Sequence, residues 1–311
     1  MKLTQYYTLI VCVITISCSG VQNSTTDESK YQKNASFSLI YKIKPEGYIR
    51  KLFLKVKVPY SIKDRQWVKS MAFSTQPDSV VLKNDLNYAY FHFDSVDEAF
   101  KLKIDCEITI YQQIKEIDTS QLAAAYTPEN LSAEKYIESD CPEIQDLAAG
   151  LKQANNVETV MKTYSYVKEK LTYYTDYGPD TVGARRALKK GYGDCSEYCD
   201  LFVALLRANH IPAKSIHGYT MEMTTTGKHT WAEVFLPKNG WVMMDPTTSH
   251  GHVTNEDNTY TIAQRNKYII MSQQRHDPAI SKNSDYYIHY QKGSWDSKVN
   301  IHESYNSYLH S

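Results

Sequence analysis

The stretch "GYGDCSEYCDLFVALLRANHIPA", residues 191–213, predicts a helix that begins at a cysteine. Asp194 is a favourable N-cap residue, and the apolar side chains after it recur at three- and four-residue spacing. We therefore predict a helix from Cys195 to Ala208, which an asparagine and a proline bring to an end. In its first turn, free backbone N–H groups and the positive end of the helix dipole stabilise a thiolate on Cys195.

A nucleophilic thiol needs a base, and the base needs an acceptor that orients it. The neighbouring carboxylate of Asp194 disfavours a second anion, so the partner of Cys195 should be cationic. His229 opens the strand-like segment "HTWAEVFL", and Asp245 follows the strand-like segment "GWVMM". We expect these two side chains to complete the site.

The register of the hairpin decides whether His229 and Asp245 meet. A four-residue loop would place the two residues on opposite faces of the sheet. A five-residue loop instead pairs Phe235 with Trp241 and sets Asp245 opposite Trp231, one diagonal step from His229. We predict this second register, or a bulge that is equivalent to it.

Three blocks together resemble the microbial transglutaminase-like superfamily, a relative of papain-type thiol enzymes: "GDCSEYCDLFVALLRANHIPAKSIHGY", "HTWAEVF" and "GWVMMDPT". The likeness covers about residues 140–250. It implies a helix that carries Cys195 as the nucleophile, packed on an antiparallel sheet. It further implies that His229 is the general base and acid and that Asp245 orients the imidazole. One departure is His210, where many relatives have glycine, and it affects the end of the helix more than the chemistry.

The chemistry that follows is acyl transfer on peptide or carboxamide bonds, with a peptide or protein as substrate. The alternative is a binding or assembly module that keeps the fold without turnover. The backbone N–H of Cys195 is the first candidate oxyanion donor. Further candidates for the oxyanion site or a substrate groove are four aromatic residues: Tyr173, Tyr174, Trp231 and Trp241. Trp231 and Trp241 could equally belong to the sheet core.

The predicted fold class is α+β, with a transglutaminase-like core preceded by a small β-sandwich domain. Residues 37–118 alternate apolar and polar side chains, as in "IRKLFLKVKVP", which predicts an antiparallel domain with one solvated face. Residues 119–311 carry helix-spaced segments, then the cysteine stretch and the hairpin, and end in a strand-like extension.

The first 17 residues predict a lipoprotein-type signal peptide. They hold one lysine and an apolar run too short to span a bilayer, and "TISC" resembles the box in which Cys18 becomes lipidated. Residues 18–36 would then be a flexible tether to a membrane, and the protein would belong to the cell envelope. Ordinary secretion with nearby cleavage is the alternative. A disulfide between Cys106 and Cys141 is compatible with such a compartment.

Composition argues against a nucleic-acid partner. The chain has 35 Lys and Arg residues and 35 Asp and Glu residues, and no basic stripe stands out. We expect no cofactor. A metal site built from Cys195, Cys199, His250 and His252 is the weaker alternative, because two cysteines four residues apart in a helix make a poor tetrahedral clamp.

Overall fold

The computed structural model describes residues 12–15, 32–83, 86–118, 130–175, 183–221, 227–237, 239–247, 252–256, 259–264, 267–275, 287–293 and 297–310. The chain divides into two compact units. The first comprises residues 1–111 and 285–311, and the second comprises residues 112–284.

The first unit is built from antiparallel strands in two sheets. Its strands are β1 (Cys12–Thr15), β2 (Gln32–Glu46), β3 (Ile49–Lys57), β4 (Gln66–Phe73), β5 (Ser79–Lys83), β6 (Leu86–Val96), β7 (Phe100–Tyr111), β17 (Tyr287–Gly293) and β18 (Lys298–Leu309). One sheet has the order β1-β4-β7-β2-β18, and the other has the order β17-β3-β6-β5. Alternate residues of β2 are buried, among them Leu39, Tyr41 and Ile43, and Phe73 of one sheet contacts Phe91 of the other. Alternation along the strands therefore produces this core.

The two ends of the chain differ from the expected boundaries. Strand β2 begins at Gln32, within the predicted tether, because it finds partners on both sides in β7 and β18. Strand β1 lies inside the predicted signal peptide and pairs with β4. The last two strands join the first unit rather than extending the second, since β17 pairs with β3 and β18 pairs with β2. Strand pairing depends on a free sheet edge and not on nearness in sequence.

The second unit combines helices with short sheets. Its elements are β8 (Gln113–Asp118), α1 (Pro142–Leu151), α2 (Asn156–Lys170), β9 (Thr172–Tyr173), α3 (Gly183–Lys190), β10 (Tyr192–Gly193), α4 (Cys195–Ala208), β11 (Ala213–Thr220), β12 (Lys228–Leu236), β13 (Gly240–Met244), β14 (His252–Glu256), β15 (Thr259–Gln264) and β16 (Tyr268–Ser272). A four-stranded sheet has the order β13-β12-β11-β16, and β14, β15 and β8 form a second sheet. The α+β fold class is thus confirmed.

Helix α4 is the centre of this unit. All residues from Glu197 to Arg207 are buried, and they pack against α1, α2, α3 and the strands β11 and β12. The helix begins and ends where the sequence predicts. His210 follows it with φ +58°, a left-handed conformation that suits glycine, so this residue bears on the end of the helix.

The hairpin β12–β13 has the predicted register. Phe235 pairs with Trp241 and Ala232 pairs with Met244, so Asp245 comes next opposite Trp231. Leu236 also pairs with Gly240, and the connection is therefore shorter than five residues while the register stays the same.

Candidate active site

The first turn of α4 is closed by a capping box. The Asp194 side chain accepts hydrogen bonds from the backbone of Ser196 and Glu197, and the Glu197 side chain accepts one from the Asp194 N–H. A Cβ on Gly193 would lie 2.3 Å from the Cβ of Glu197, so the box requires glycine at this position. The sequence therefore fixes the direction in which the helix, and Cys195 with it, leaves the preceding strand.

One backbone amide of the first turn takes no part in the capping box. The Tyr198 N–H bonds the carbonyl of Asp194, and the two amides before it bond the Asp194 side chain. Within the part of the chain that the structure describes, the N–H of Cys195 has no hydrogen-bond partner. Cys195 itself is a free, partly exposed thiol. An amide and a thiol of one residue are thus both available to a ligand.

His229 joins Cys195 to Asp245. Its Nε2 donates a hydrogen bond of 2.7 Å to Oδ2 of Asp245, and Cys195 lies near enough to the imidazole to help raise its pKa. Since Asp245 occupies Nε2, Nδ1 is the ring nitrogen that remains to exchange a proton with the thiol. The structure therefore brings together the three residues that the sequence singles out.

The charges of the three groups support one another. Burial alone would lower the pKa of His229, but the hydrogen bonds and charges of Asp245 and Cys195 outweigh it and raise that pKa to about 10. Burial would raise the pKa of Asp245, but the hydrogen bonds from His229 and Thr247 outweigh it and lower that pKa. At neutral pH the imidazole is a cation beside a carboxylate, which is the partner that a thiolate requires.

The Asp245 carboxylate has further donors. Thr247 donates to Oδ1 from its backbone N–H, at 3.0 Å, and from its hydroxyl, at 2.5 Å. The Tyr268 hydroxyl donates to Oδ2 at 3.0 Å, and the Tyr164 hydroxyl donates to the backbone carbonyl of Asp245 at 2.9 Å. Sequence patterns alone do not indicate these residues. The Asp-Pro-Thr turn is a signal that could have identified Thr247, because a side chain two residues before an amide commonly accepts from it.

The two candidate tryptophans lie in different surroundings. Trp231 is fully buried and packs on Tyr268 at 4.8 Å between ring centroids, so it belongs to the sheet core and does not line a groove. Trp241 is partly exposed, lies against Phe235 and has the Lys214 ammonium 4.4 Å from its ring centroid. Nothing in these contacts directs Trp241 toward Cys195.

The side chains of the two candidate tyrosines have different neighbours. Tyr173 pairs with Gly193 in a parallel ladder, two residues before Cys195. Burial raises its pKa, and the negative charges of Cys195, Asp194 and Asp245 raise it further, so the phenol lies within their field. The Tyr174 ring instead contacts Tyr192. Of the pair, Tyr173 is the residue beside the thiol.

The other cysteines are free thiols among the described residues. Cys199 is fully buried, and its thiol donates to the carbonyl of Trp231 at 3.1 Å. Cys106 and Cys141 are also free, so the structure contains no disulfide between them. His250 and Cys18 lie outside the described residues. Within those residues no group of three or more potential metal ligands is found.

Comparison with known proteins supports the fold and the family. Residues 145–246 match the model of the transglutaminase-like superfamily, so this part of the chain is a transglutaminase-like domain. A solved chain from Cytophaga hutchinsonii, under the name "Putative Cysteine Protease", has a TM-score of 0.62 at 17% identity and shares the fold. The similarity covers 89% of this chain and 92% of that one.

Two curated relatives cover less of the chain. The uncharacterized protein YebA of Bacillus subtilis is 34% identical over 86 residues, which are 22% of this chain and 11% of that protein. The uncharacterized protein Rv2569c of Mycobacterium tuberculosis is 27% identical over 139 residues, 39% of this chain and 44% of that protein. The chain thus spans less than half the length of either relative. The family match therefore concerns residues 145–246, and the structural similarity supports the fold.

Proposed function

We propose that the transglutaminase-like domain of this chain is a thiol enzyme that transfers acyl groups from peptide or carboxamide bonds, with Cys195, His229 and Asp245 as its catalytic residues. The observation that carries the proposal is the imidazole of His229, which donates a hydrogen bond to the Asp245 carboxylate and interacts electrostatically with Cys195. This is the arrangement that a nucleophile, a base and an orienting group require.

In the first half of the reaction, the Cys195 thiolate attacks the carbonyl carbon of the substrate and forms a C–S bond. The carbonyl oxygen takes the electron pair and becomes an oxyanion. When the tetrahedral intermediate collapses, the C–N bond breaks and the proton on His229 Nδ1 passes to the departing amine. The products of this half are a thioester on Cys195 and a free amine.

The oxyanion requires donors that point at it. The N–H of Cys195 is unpartnered in the described structure and is the first donor, and the phenol of Tyr173 is the candidate for the second. Tyr173 is 52% exposed, so its hydroxyl is accessible to a substrate. Removal of one such donor typically costs about 2.7–4 kcal/mol of transition-state stabilisation.

In the second half, His229 accepts a proton from water or from an amine, which attacks the thioester carbon. The C–S bond breaks and the thiolate returns. Water gives hydrolysis and a carboxylic acid, whereas an amine gives a new amide bond and therefore a cross-link. The domain would be a cysteine peptidase or amidase in the first case and a transglutaminase in the second.

The proposed location is the cell envelope, on the strength of the N-terminal sequence. Lipidation of Cys18 would follow removal of residues 1–17, and of β1 with them, and would anchor the protein to a membrane. Its substrates would then be peptides or proteins outside the cytoplasm. None of the helices in the described ranges has the length and apolar character of a membrane span.

The test is alkylation of the full chain by iodoacetamide, followed by peptide mapping. Cys195 is expected to react at neutral pH about 10-fold or more faster than Cys141, which is partly exposed but has no histidine partner. His229→Ala should slow Cys195 toward the rate of Cys141 and leave Cys141 unchanged. Mass spectrometry of acyl groups trapped on Cys195 would then identify the substrate.

Equal and slow alkylation of Cys195 in both forms would contradict the proposal. The domain would in that case be the alternative that the sequence leaves open, a binding or assembly module without turnover.

A further inference from the structure

The oxygen of Asp245 that faces the imidazole has two donors. His229 Nε2 lies 2.7 Å from Oδ2, and the Tyr268 hydroxyl lies 3.0 Å from the same atom. Tyr268 is the first residue of β16 and is 7% exposed. A buried tyrosine therefore contributes a hydrogen bond to the carboxylate at the atom where the carboxylate meets the base.

The ring of Tyr268 also contacts the base directly. Its centroid lies 5.8 Å from that of the His229 imidazole, with 17° between the ring planes. Trp231 lies against the Tyr268 ring at 4.8 Å and near the imidazole at 6.0 Å. Both rings therefore lie on one side of the imidazole, and rotation of the imidazole toward that side would require them to move.

The four hydrogen bonds account for the full acceptor capacity of the carboxylate. Thr247 donates two hydrogen bonds to Oδ1, while His229 and Tyr268 share Oδ2. The Thr247 bonds hold the side chain of Asp245 to its own turn. Tyr268 is the donor that shares Oδ2 with the imidazole, and a hydrogen bond from a phenol takes up part of the charge that would otherwise stabilise the imidazolium.

We propose that Tyr268 is a positioning residue for the acyl transfer: its hydroxyl fixes the Asp245 carboxylate and moderates its pull on the imidazolium, while its ring holds the imidazole in line with the thiol. The inference rests on the proposed function, since it assigns Tyr268 a role in that same site. The moderation matters because a base that holds its proton too strongly cannot give it to the leaving amine.

The other groups that can influence the imidazole come from several elements. Cys195 lies on α4 and Tyr173 on β9, and the charge of Asp245 acts on Tyr173 as well as on the imidazole. The Lys267 ammonium lies 5.4 Å from the centroid of the Tyr268 ring. Tyr268→Phe leaves all of these groups in place and removes one oxygen atom, so the change isolates the hydroxyl.

The experiment follows the pKa of His229 by the pH dependence of its ring Cε1–H resonance in the full chain, assigned with His229→Gln. Tyr268→Phe is expected to raise that pKa by about half a unit, because the carboxylate then stabilises the imidazolium more strongly. Asp245→Asn should shift it in the opposite direction, because the negative charge is lost. Acylation of Cys195 by a small activated amide should fall about 10-fold in Tyr268→Phe.

Tyr164→Phe is the matched control. Its hydroxyl donates to the backbone carbonyl of Asp245 and leaves the carboxylate untouched, so it should lower the melting temperature without moving the pKa of His229. Site-specific Tyr268→4-aminophenylalanine keeps both the ring and a donor, and it should restore the native pKa. That variant also keeps the test available if Tyr268→Phe does not fold.

A His229 pKa in Tyr268→Phe equal to that of the native protein would overturn the inference, as would an equal shift in Tyr164→Phe. Failure of the proposed function looks different, because slow alkylation of Cys195 that His229→Ala does not change would already appear in the otherwise native chain. Rapid, histidine-dependent alkylation together with an unmoved pKa in Tyr268→Phe would leave the enzyme in place and remove only the role of Tyr268.

Discussion

Among the described residues of the transglutaminase-like domain, two aspartates are buried, and they differ in their partners. Asp245 bonds the imidazole of His229 at 2.7 Å and is 5% exposed. Asp200 is fully buried on α4 and forms two hydrogen bonds with Arg275, at 2.5 and 2.8 Å. The imidazole can release its proton in the accessible pH range, whereas the guanidinium cannot. The first pair can therefore take part in proton transfer, and the second can only hold the structure.

The same segment of chain serves both aspartates. Tyr268 at the start of β16 donates to Asp245, and Arg275, three residues beyond the end of that strand, bonds Asp200. The guanidinium also lies 4.7 Å from the centroid of the Tyr136 ring. The Asp200–Arg275 pair thus holds α4 to the end of the segment whose beginning supports the candidate active site.

The largest expected effect tests the structural role of the second pair. Asp200→Asn leaves the guanidinium of Arg275 buried without a counter-charge, and we expect a loss of about 3–5 kcal/mol in the free energy of unfolding. Urea denaturation at pH 8 measures this. Asp146→Asn, on the exposed side of α1, is the control and should change stability by less than about 0.5 kcal/mol. A loss from Asp200→Asn as small as that of the control would show that the pair is not structural.

The next largest effect tests whether the support of Asp245 depends on the position of strand β16. A Cβ on Gly218 would lie 1.9 Å from the carbonyl oxygen of Ile269 on β16, so Gly218→Ala must push β16 away from β11. We expect a loss of about 1–3 kcal/mol in unfolding free energy, together with a changed His229 resonance. Gly150→Ala is the control, because nothing lies within 4 Å of its Cβ position and alanine favours the helix. An unchanged resonance in Gly218→Ala would separate the support of Asp245 from the position of β16.

The smallest expected effect is a difference in how the stability contributions of the His229–Asp245 and Asp200–Arg275 pairs depend on pH. The pKa of His229 is raised to about 10 from about 6.5 in the unfolded chain, so its stabilising contribution is full below about pH 6.5 and is lost as the pH rises through 10. The excess stability of the native protein over His229→Gln should therefore shrink between pH 8 and 10, by an amount on the order of 1–2 kcal/mol.

The Asp200–Arg275 pair should behave differently over that range. Burial raises the pKa of Asp200 to about 7 despite the charge of Arg275, so above about pH 8 both members stay charged. The excess stability over Asp200→Asn should then be constant between pH 8 and 10. Parallel declines in both comparisons would contradict the distinction between the two aspartates.

Local sequence was sufficient for the parts of the site that neighbours in the chain define. The capping residue and the apolar spacing predict α4 from Cys195 to Ala208, and side-chain alternation predicts the register that sets Asp245 opposite Trp231. Helix α1 begins at Pro142, within the helix-spaced part of the chain, because proline favours the first helical position, where its missing N–H costs no hydrogen bond.

The sequence alone determined the helix start, the strand alternation and the three residues of the candidate triad, because each depends on interactions between residues close in the chain or paired across one hairpin. Only the tertiary structure decided that Tyr268 meets Asp245, that Arg275 meets Asp200, that Trp231 lies in the core and that the last strands join the first unit. These contacts join residues that no short-range periodicity relates. Their partners are selected by the burial of apolar surface and the satisfaction of buried polar groups across the whole fold.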